Sequence, residues 1–300
     1  MGNKLINIAS INELHRFYGC DKPKHPLVSV IDLKTIRPEL FDEPLAYQME
    51  LYIISCKSFK GTIKYGRQPY DFDEGSLLFT APNQVLSAEP DVKLEEGWAL
   101  FIHPDLLSST SLGKKMHQYS FFLYDTNEAL HISDDEKQIL LDCIAKIKRE
   151  YSQNMDKHTH GLIVSNIELL LNYCDRFYDR QFITRSKANH DIVQRFETLL
   201  NEYFANETLI QTGLPDVGHF ASQLNISPKY LSDVLSKHTG KSTQEHIHLK
   251  LIEKAKLLLW GNNQSISQIA YQLGFEHPSH FTKLFKTKTG STPREYRNLN

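Results

Sequence analysis

The chain has 300 residues, 40% of them hydrophobic and 23% charged, a composition that excludes a low-complexity or intrinsically disordered protein and leaves room for about two domains. Its net charge of −2 by itself disfavours a nucleic-acid partner, yet residues 184–300 carry 14 Lys and Arg against 10 Asp and Glu while the remainder carries 20 against 26. A basic C-terminal part on an acidic N-terminal part is the asymmetry of a DNA-binding module joined to something else.

The N-terminal "MGNKLINIASINELHRFYG" spaces its polar residues too closely for a signal peptide. No apolar run approaches the roughly 18 residues that span a bilayer, so a cytoplasmic protein with no membrane partner is expected. Cys20, Cys56, Cys143 and Cys174 lie far apart without a CxxC spacing, which suggests neither a zinc site nor a disulfide framework.

From about residue 25 to 110, short apolar or alternating runs such as "LVSVIDL", "YQMELYIISC", "GSLLFTAP" and "GWALFIHP" are punctuated by Gly, Pro and Asp. That pattern predicts a β-sandwich or barrel, the main part of a regulatory domain over residues 1–132. Tyr47, Tyr52 and Trp98 are candidate aromatics of a small-molecule pocket, and each serves equally well as core.

Residues 133–183 read as two helices. Ser133 with Glu136 forms a capping box, and Ile139, Leu140, Cys143, Ile144, Ile147 and Tyr151 follow on one face. The second helix runs from about His158 to Phe182 with Leu162, Ile163, Ile167, Leu170, Leu171, Cys174 and Tyr178. Two such amphipathic helices need cover, from the barrel or from a second subunit. The second subunit is the expectation here, which makes the segment a dimerisation element. "DRQFITRSKANH", residues 179–190, has little apolar periodicity and is expected to be a linker.

Residues 184–300 read as helical throughout. Starts are marked by Asp216, by Ser227 before Pro228, by Ser242 with Glu245, by Ser265 with Gln268 and by Pro278; Gly240 and Gly290 mark stops. Within this region a motif occurs twice: "FASQLNISPKYLSDVLSKHTG" from Phe220 and "IAYQLGFEHPSHFTKLFKTKTG" from Ile269. Ala221, Gln223 and Leu224 match Ala270, Gln272 and Leu273 at an offset of 49, whereas Pro228, Thr239 and Gly240 match Pro278, Thr289 and Gly290 at an offset of 50. One residue has been added in the turn. Each copy predicts helix, turn, helix, giving units at 216–240 and 265–290, with Ile226 and Phe275 plugging the angle between the helices.

The second helix of each unit has two faces. Tyr230, Leu231, Val234 and Leu235, and in the other copy Phe281, Leu284 and Phe285, form a core stripe. Opposite them lie Lys229, Ser232, Asp233 and Ser236, matched by Ser279, Thr282, Lys283 and Lys286. Short hydrogen-bonding or cationic side chains at i, i+3, i+4 and i+7 suit a helix in a major groove. His280 and Lys288 complete the expected DNA contacts. A connecting helix from Ser242 to Trp260, about 28 Å long, can hold the two recognition helices roughly one DNA turn apart. Asp233 accepts a hydrogen bond from cytosine but repels phosphate, so the second unit, with Lys283, Lys286 and Lys288, is expected to contribute more affinity.

"IAYQLGFEHPSHFTKLFKTKTGSTPREYR", Ile269 to Arg297, closely resembles the signature of AraC/XylS-type transcription regulators in its Gly-Phe turn, its Phe-Lys and its Thr-Pro then Tyr-Arg ending. The resemblance extends more weakly back to about Asp191. It implies a bacterial regulator that binds promoter DNA and contacts RNA polymerase. "GWALFIHPDLL" and "DEGSLLFTAPNQ" also look like the cupin-type ligand-binding barrel often fused to such modules.

Other signals fall away. "GKST", Gly240 to Thr243, needs a glycine at position 235, which is Leu. His246 and His248 are two apart on a helix and face different ways, and His103 and His117 are isolated. The expectation is therefore an α+β multidomain protein: an N-terminal cupin-like β-barrel, a helical dimerisation segment, and a C-terminal all-α double helix-turn-helix. It is read as a homodimeric activator answering to a small-molecule effector, without catalysis or cofactor. The alternatives are a metal-dependent cupin enzyme with a vestigial helical domain, and a DNA-binding regulator controlled by a protein partner.

Overall fold

The computed structural model describes residues 5–36, 45–58, 64–65, 68–69, 75–88, 96–205, 209, 213–261 and 264–298. It divides into two units, Met1–Thr184 and Arg185–Asn300.

In the first unit, the β-branched and aromatic runs form two sheets. β2 (Val28–Asp32), β4 (Tyr52–Ser58), β7 (Ser76–Thr80), β9 (Glu96–Ile102) and β10 (Leu130–His131) make an antiparallel five-stranded sheet in the order β10-β7-β4-β9-β2. β1 (Ile6–Ile8), β3 (Leu45–Met49) and β8 (Val85–Ala88) make a second, in the order β1-β3-β8, and β5 (Lys64–Tyr65) pairs with β6 (Gln68–Pro69). Successive side chains alternate between sheet faces. Ile31, Ile53, Ala99 and Phe101 accordingly join Ile8, Met49 and the helix α1 (Ile11–Tyr18) in one core. Both sheets line that core, but among the described residues no strand pairing joins them into a closed barrel.

The opposite face of the large sheet is just as apolar and is covered by helices. The short helices α2 (Pro104–Leu107) and α3 (Ser111–Lys115) precede β10, and α4 (Asp134–Ser152) and α5 (Thr159–Thr184) follow it. Ser133 and Glu136 make the reciprocal capping box of α4. Tyr151 Oη accepts from the Val30 N–H at 3.3 Å, and the Phe79 ring meets Tyr178 at 6.0 Å. Gln181 bonds both sides of β10: its Oε1 accepts from His131 N at 2.8 Å and its Nε2 donates to Ala129 O at 3.1 Å. Arg180 pairs with Glu136 at 2.7 Å and donates to His131 O at 2.7 Å.

These contacts correct the expected subunit interface. Ile144, Ile147, Ile163, Ile167, Leu170 and Leu171 are buried inside one chain. A sheet apolar on both faces needs a second cover, and the helices that leave its edge strand supply it. The expected linker, residues 179–190, holds the division between the two units, but it is helical on both sides of that point. α5 continues to Thr184 and α6 (Ser186–Ala205) starts at Ser186, because Tyr178, Gln181 and Phe182 anchor the helix through the stretch that looked aperiodic.

The second unit is helical. After α6 come α7 (Val217–Leu224), α8 (Pro228–Thr239), α9 (Thr243–Gly261), α10 (Ile266–Gln272), α11 (Pro278–Thr289) and α12 (Pro293–Asn298). α6 packs on α7, α8 and α9, and α9 also packs on α10, α11 and α12. Phe196, Phe220, Phe281 and Phe285 are completely buried. Each contributes roughly 2 kcal/mol of burial.

Candidate nucleic-acid interface

Each repeat copy folds as a helical pair with a left-handed residue in the turn. That residue is Asn225 (φ 56°) after α7 and Gly274 (φ 85°) after α10. A side chain at Gly274 would also come within 2.9 Å of the backbone at Leu209 and Gly213, so this turn requires glycine. Ala221 and Ala270 are buried where the helices meet. Phe275 plugs its turn, buried beside Phe281 at 5.5 Å, whereas Ile226 is half-buried.

The caps show what the extra turn residue does. Ser227 caps α8 by accepting from Tyr230 N at 3.2 Å. In the second unit, Glu276 and His277 fill the place of that single serine, and His277 makes no side-chain cap on α11. Both recognition helices end alike, on glycine in the left-handed region, with Thr239 or Thr289 donating to the carbonyl four residues back and accepting from residue 241 or 291. The repeated Thr-Gly is thus a helix terminator.

On α8 the outward stripe is largely engaged within the domain. Lys229 Nζ lies 2.9 Å from Asp233 Oδ1, so the helix presents a neutralised pair. Ser232 Oγ donates to Pro228 O at 3.0 Å and meets Thr243 Oγ1 of α9 at 3.2 Å. Ser236 is exposed. On α11, Ser279, His280, Lys283 and Lys286 are all exposed, and Thr282 is half-buried with its hydroxyl on Pro278 O at 3.1 Å. Phe281 and Phe285 hold the other side of the helix in the core, while Leu284 is only half-buried.

Lys288 stands apart from the other two lysines. It follows Lys286 by two residues, about 200° around the helix, and its Nζ lies 3.6 Å from Glu245 in the first turn of α9. The same turn reaches the other recognition helix, where His246 Nε2 meets Thr239 Oγ1 at 2.8 Å. The start of α9 therefore ties both recognition helices, a role of Thr243, Glu245 and His246 that periodicity alone did not signal. Burial, then the Lys241 ammonium, hold the His246 pKa below the ordinary histidine value; burial, then Lys288, do the same for His248. His248 bonds Gln244 instead, at 3.0 Å, so the two histidines diverge. Another unpredicted element is the Thr292–Glu295 capping box that starts α12.

In the first unit, Tyr47 sits on β3 beside Phe17 at 5.9 Å and Tyr52 is half-buried against Phe122 at 5.2 Å. Trp98 is buried, its Nε1 without a hydrogen-bond partner among the described residues. The three do not converge: Tyr47 belongs to the small sheet, and Tyr52 and Trp98 stand at different rungs of the large one. Among the described residues, no three His, Cys, Asp or Glu side chains are placed to hold a metal, and no helix is long and apolar enough to cross a membrane.

Residues 220–299 match the family of helix-turn-helix domains. The chain is 29% identical over 240 residues to the uncharacterised HTH-type transcriptional regulator YfiF of Bacillus subtilis, covering 78% of this chain and 72% of that protein. It is 28% identical over 135 residues to the HTH-type transcriptional activator RhaS of Salmonella schwarzengrund, 45% of this chain and 46% of the other. It is also 31% identical over 116 residues to histidine kinase P4 of Formosa agariphila, which is 39% of this chain but 8% of the kinase. The similarity thus spans less than half of RhaS and a small part of the kinase.

Proposed function

We propose that the second unit, which matches the family of helix-turn-helix domains, is an AraC-type DNA-binding domain, and that the protein is a sequence-specific, effector-responsive regulator whose two recognition helices enter successive major grooves of promoter DNA. One observation carries this reading: α11 exposes Ser279, His280, Lys283 and Lys286 over two consecutive turns while its opposite face is locked into the core. Polar and cationic groups on a rigid helix suit base edges and phosphates. α8 enters its groove with the Lys229–Asp233 pair, so it adds shape and one acceptor rather than net charge.

The two-sheet unit is the sensor, cupin-like in its strand pattern. The protein acts as a homodimer. The inner face of α5 is consumed by its own sheet, so the contact falls on the outer face, where Leu162 and Leu169 are exposed one heptad apart. An activator's contact with RNA polymerase fits the relative named as a transcriptional activator. The reading is tested by selecting bound sequences from a random DNA pool with the full-length protein. Enrichment of a site with two recognition segments about one helical turn apart is expected; a pool that stays random removes the proposal.

A further inference from the structure

The helix α9 is apolar on two sides. Ile247, Leu251 and Ala255 are buried among the helices that it holds together, and on the opposite side Leu249 and Trp260 are exposed, at 43% and 58%. At about 100° per residue, Leu249, Glu253, Lys256 and Trp260 fall within roughly 60° of one another. Their spacing of four, three and four residues is that of a coiled-coil seam, and the exposed Leu257 flanks it.

The C-terminal end of this stripe is held in place. Trp260 stacks on Tyr296 of α12 at 5.9 Å and 8°, Tyr296 in turn meets the buried Phe285 at 5.4 Å, and Lys256 Nζ lies 5.6 Å from the centre of the Tyr296 ring. One face of the indole is thus backed by the core while more than half of the residue stays open. An aromatic side chain already fixed in this way loses little freedom when a partner covers it. Glu253 is exposed as well, 3.0 Å from Lys250.

We infer that this stripe pairs with the same stripe of a second copy of the chain, the two α9 helices running antiparallel. In that register Leu249 lies opposite Trp260 of the second copy and Glu253 lies opposite its Lys256, and the two-fold axis repeats both pairs. A parallel register sets Glu253 against Glu253 and Lys256 against Lys256, so charge selects the antiparallel one. Four layers make a small contact, weak by itself and effective where copies are already held close. Being two-fold, it joins copies that face each other rather than copies set in tandem in one direction. It stands whether or not α11 reads bases, and it lies on a different unit from the contact proposed on α5.

The test is sedimentation velocity on full-length Leu169→Glu, a background that removes an outer leucine of α5, over a concentration series reaching the high micromolar range. A reversible monomer–dimer equilibrium is expected. Trp260→Ala added to this background is expected to raise the dissociation constant about tenfold or more. Glu253→Lys and Lys256→Glu are each expected to weaken association severalfold, and the two together to restore it, since the exchanged charges again face each other across the axis. The cation–π contact with Tyr296 is lost in Lys256→Glu and in the double variant alike, so restoration reads the pairing alone. The inference is overturned if the background protein stays monomeric at every concentration, which leaves the stripe to a different protein. It is also overturned if a folded Trp260→Ala associates unchanged, if neither single reversal weakens association, or if the double reversal fails to restore it. Should Trp260→Ala not fold, the charge reversals decide, because Glu253 is exposed and Lys256 is only half-buried.

Discussion

Lysines of one helix do unlike work according to where the helix turns them. Lys283 is exposed on the stripe shared with Ser279 and Lys286, whereas Lys288 faces Glu245 of its own domain. Lys283→Ala is expected to cost about 1–3 kcal/mol on the preferred site and to relax the base preference at one position. Lys288→Ala is expected to leave the slope of log affinity against log salt within about half of the unit that one lost phosphate contact removes, because the ion pair with Glu245 occupies it. Titrations of both variants at several salt concentrations check this, and a full-unit loss of slope for Lys288→Ala returns that residue to the phosphate backbone. Burial likewise separates the thiols. It pushes the Cys56 thiol up to about 11 and raises Cys143 and Cys174 as well, which keeps them protonated at pH 8. Cys20, only half-buried, is expected to be the single thiol that reacts rapidly with dithionitrobenzoate in the native protein; a second fast thiol contradicts the packing of α4 and α5 on the sheet.

Helix boundaries were legible because their signals are local: Asp216, Ser227 and Ser265 cap the helices they precede, and Gly240 and Gly290 take the left-handed conformation that ends them. The turn residues Asn225 and Gly274 and the stripes of α8 and α11 were legible for the same reason. What an apolar face packs against is not local. Periodicity marked Ile144 and Leu170 as inward without naming the partner, which proved to be the sheet. The ion pair of Lys288 with Glu245 was not legible, because it depends on angle around the helix and on where α9 starts rather than on charge along the sequence. The correction changes what a charge does on α4 and α5. Ile144→Glu buries an unpaired carboxylate and is expected to destabilise the first unit by more than about 4 kcal/mol. Leu169→Glu lies on the outer face and is expected to leave stability near wild type while dissociating the proposed homodimer. Denaturant melts and sedimentation velocity on both variants decide the matter. A stable, monomeric Ile144→Glu would put the subunit contact back on the inner face.

The division between Thr184 and Arg185 sets what each half of the molecule can do alone. The second unit contains both helix-turn-helix pairs, the helix α9 that ties them, and a core of its own built on Phe196, Phe220, Phe281 and Phe285. A fragment of residues 185–300 buries those rings without help from the first unit. It is therefore expected to unfold in one cooperative transition and to shift DNA carrying the selected site. Full-length protein is expected to bind more tightly when two sites lie in tandem, since the proposed homodimer makes the second binding event intramolecular and raises its effective concentration. On a single site the two proteins should differ little. Gel shifts with one-site and two-site DNA, using both proteins, measure these four affinities directly. A folded fragment without sequence preference would mean that the exposed stripe of α11 reads no bases. An equal gain for fragment and full-length protein on tandem sites would instead remove the first unit's part in pairing two chains on DNA, leaving it a sensor that acts on one DNA-binding module at a time.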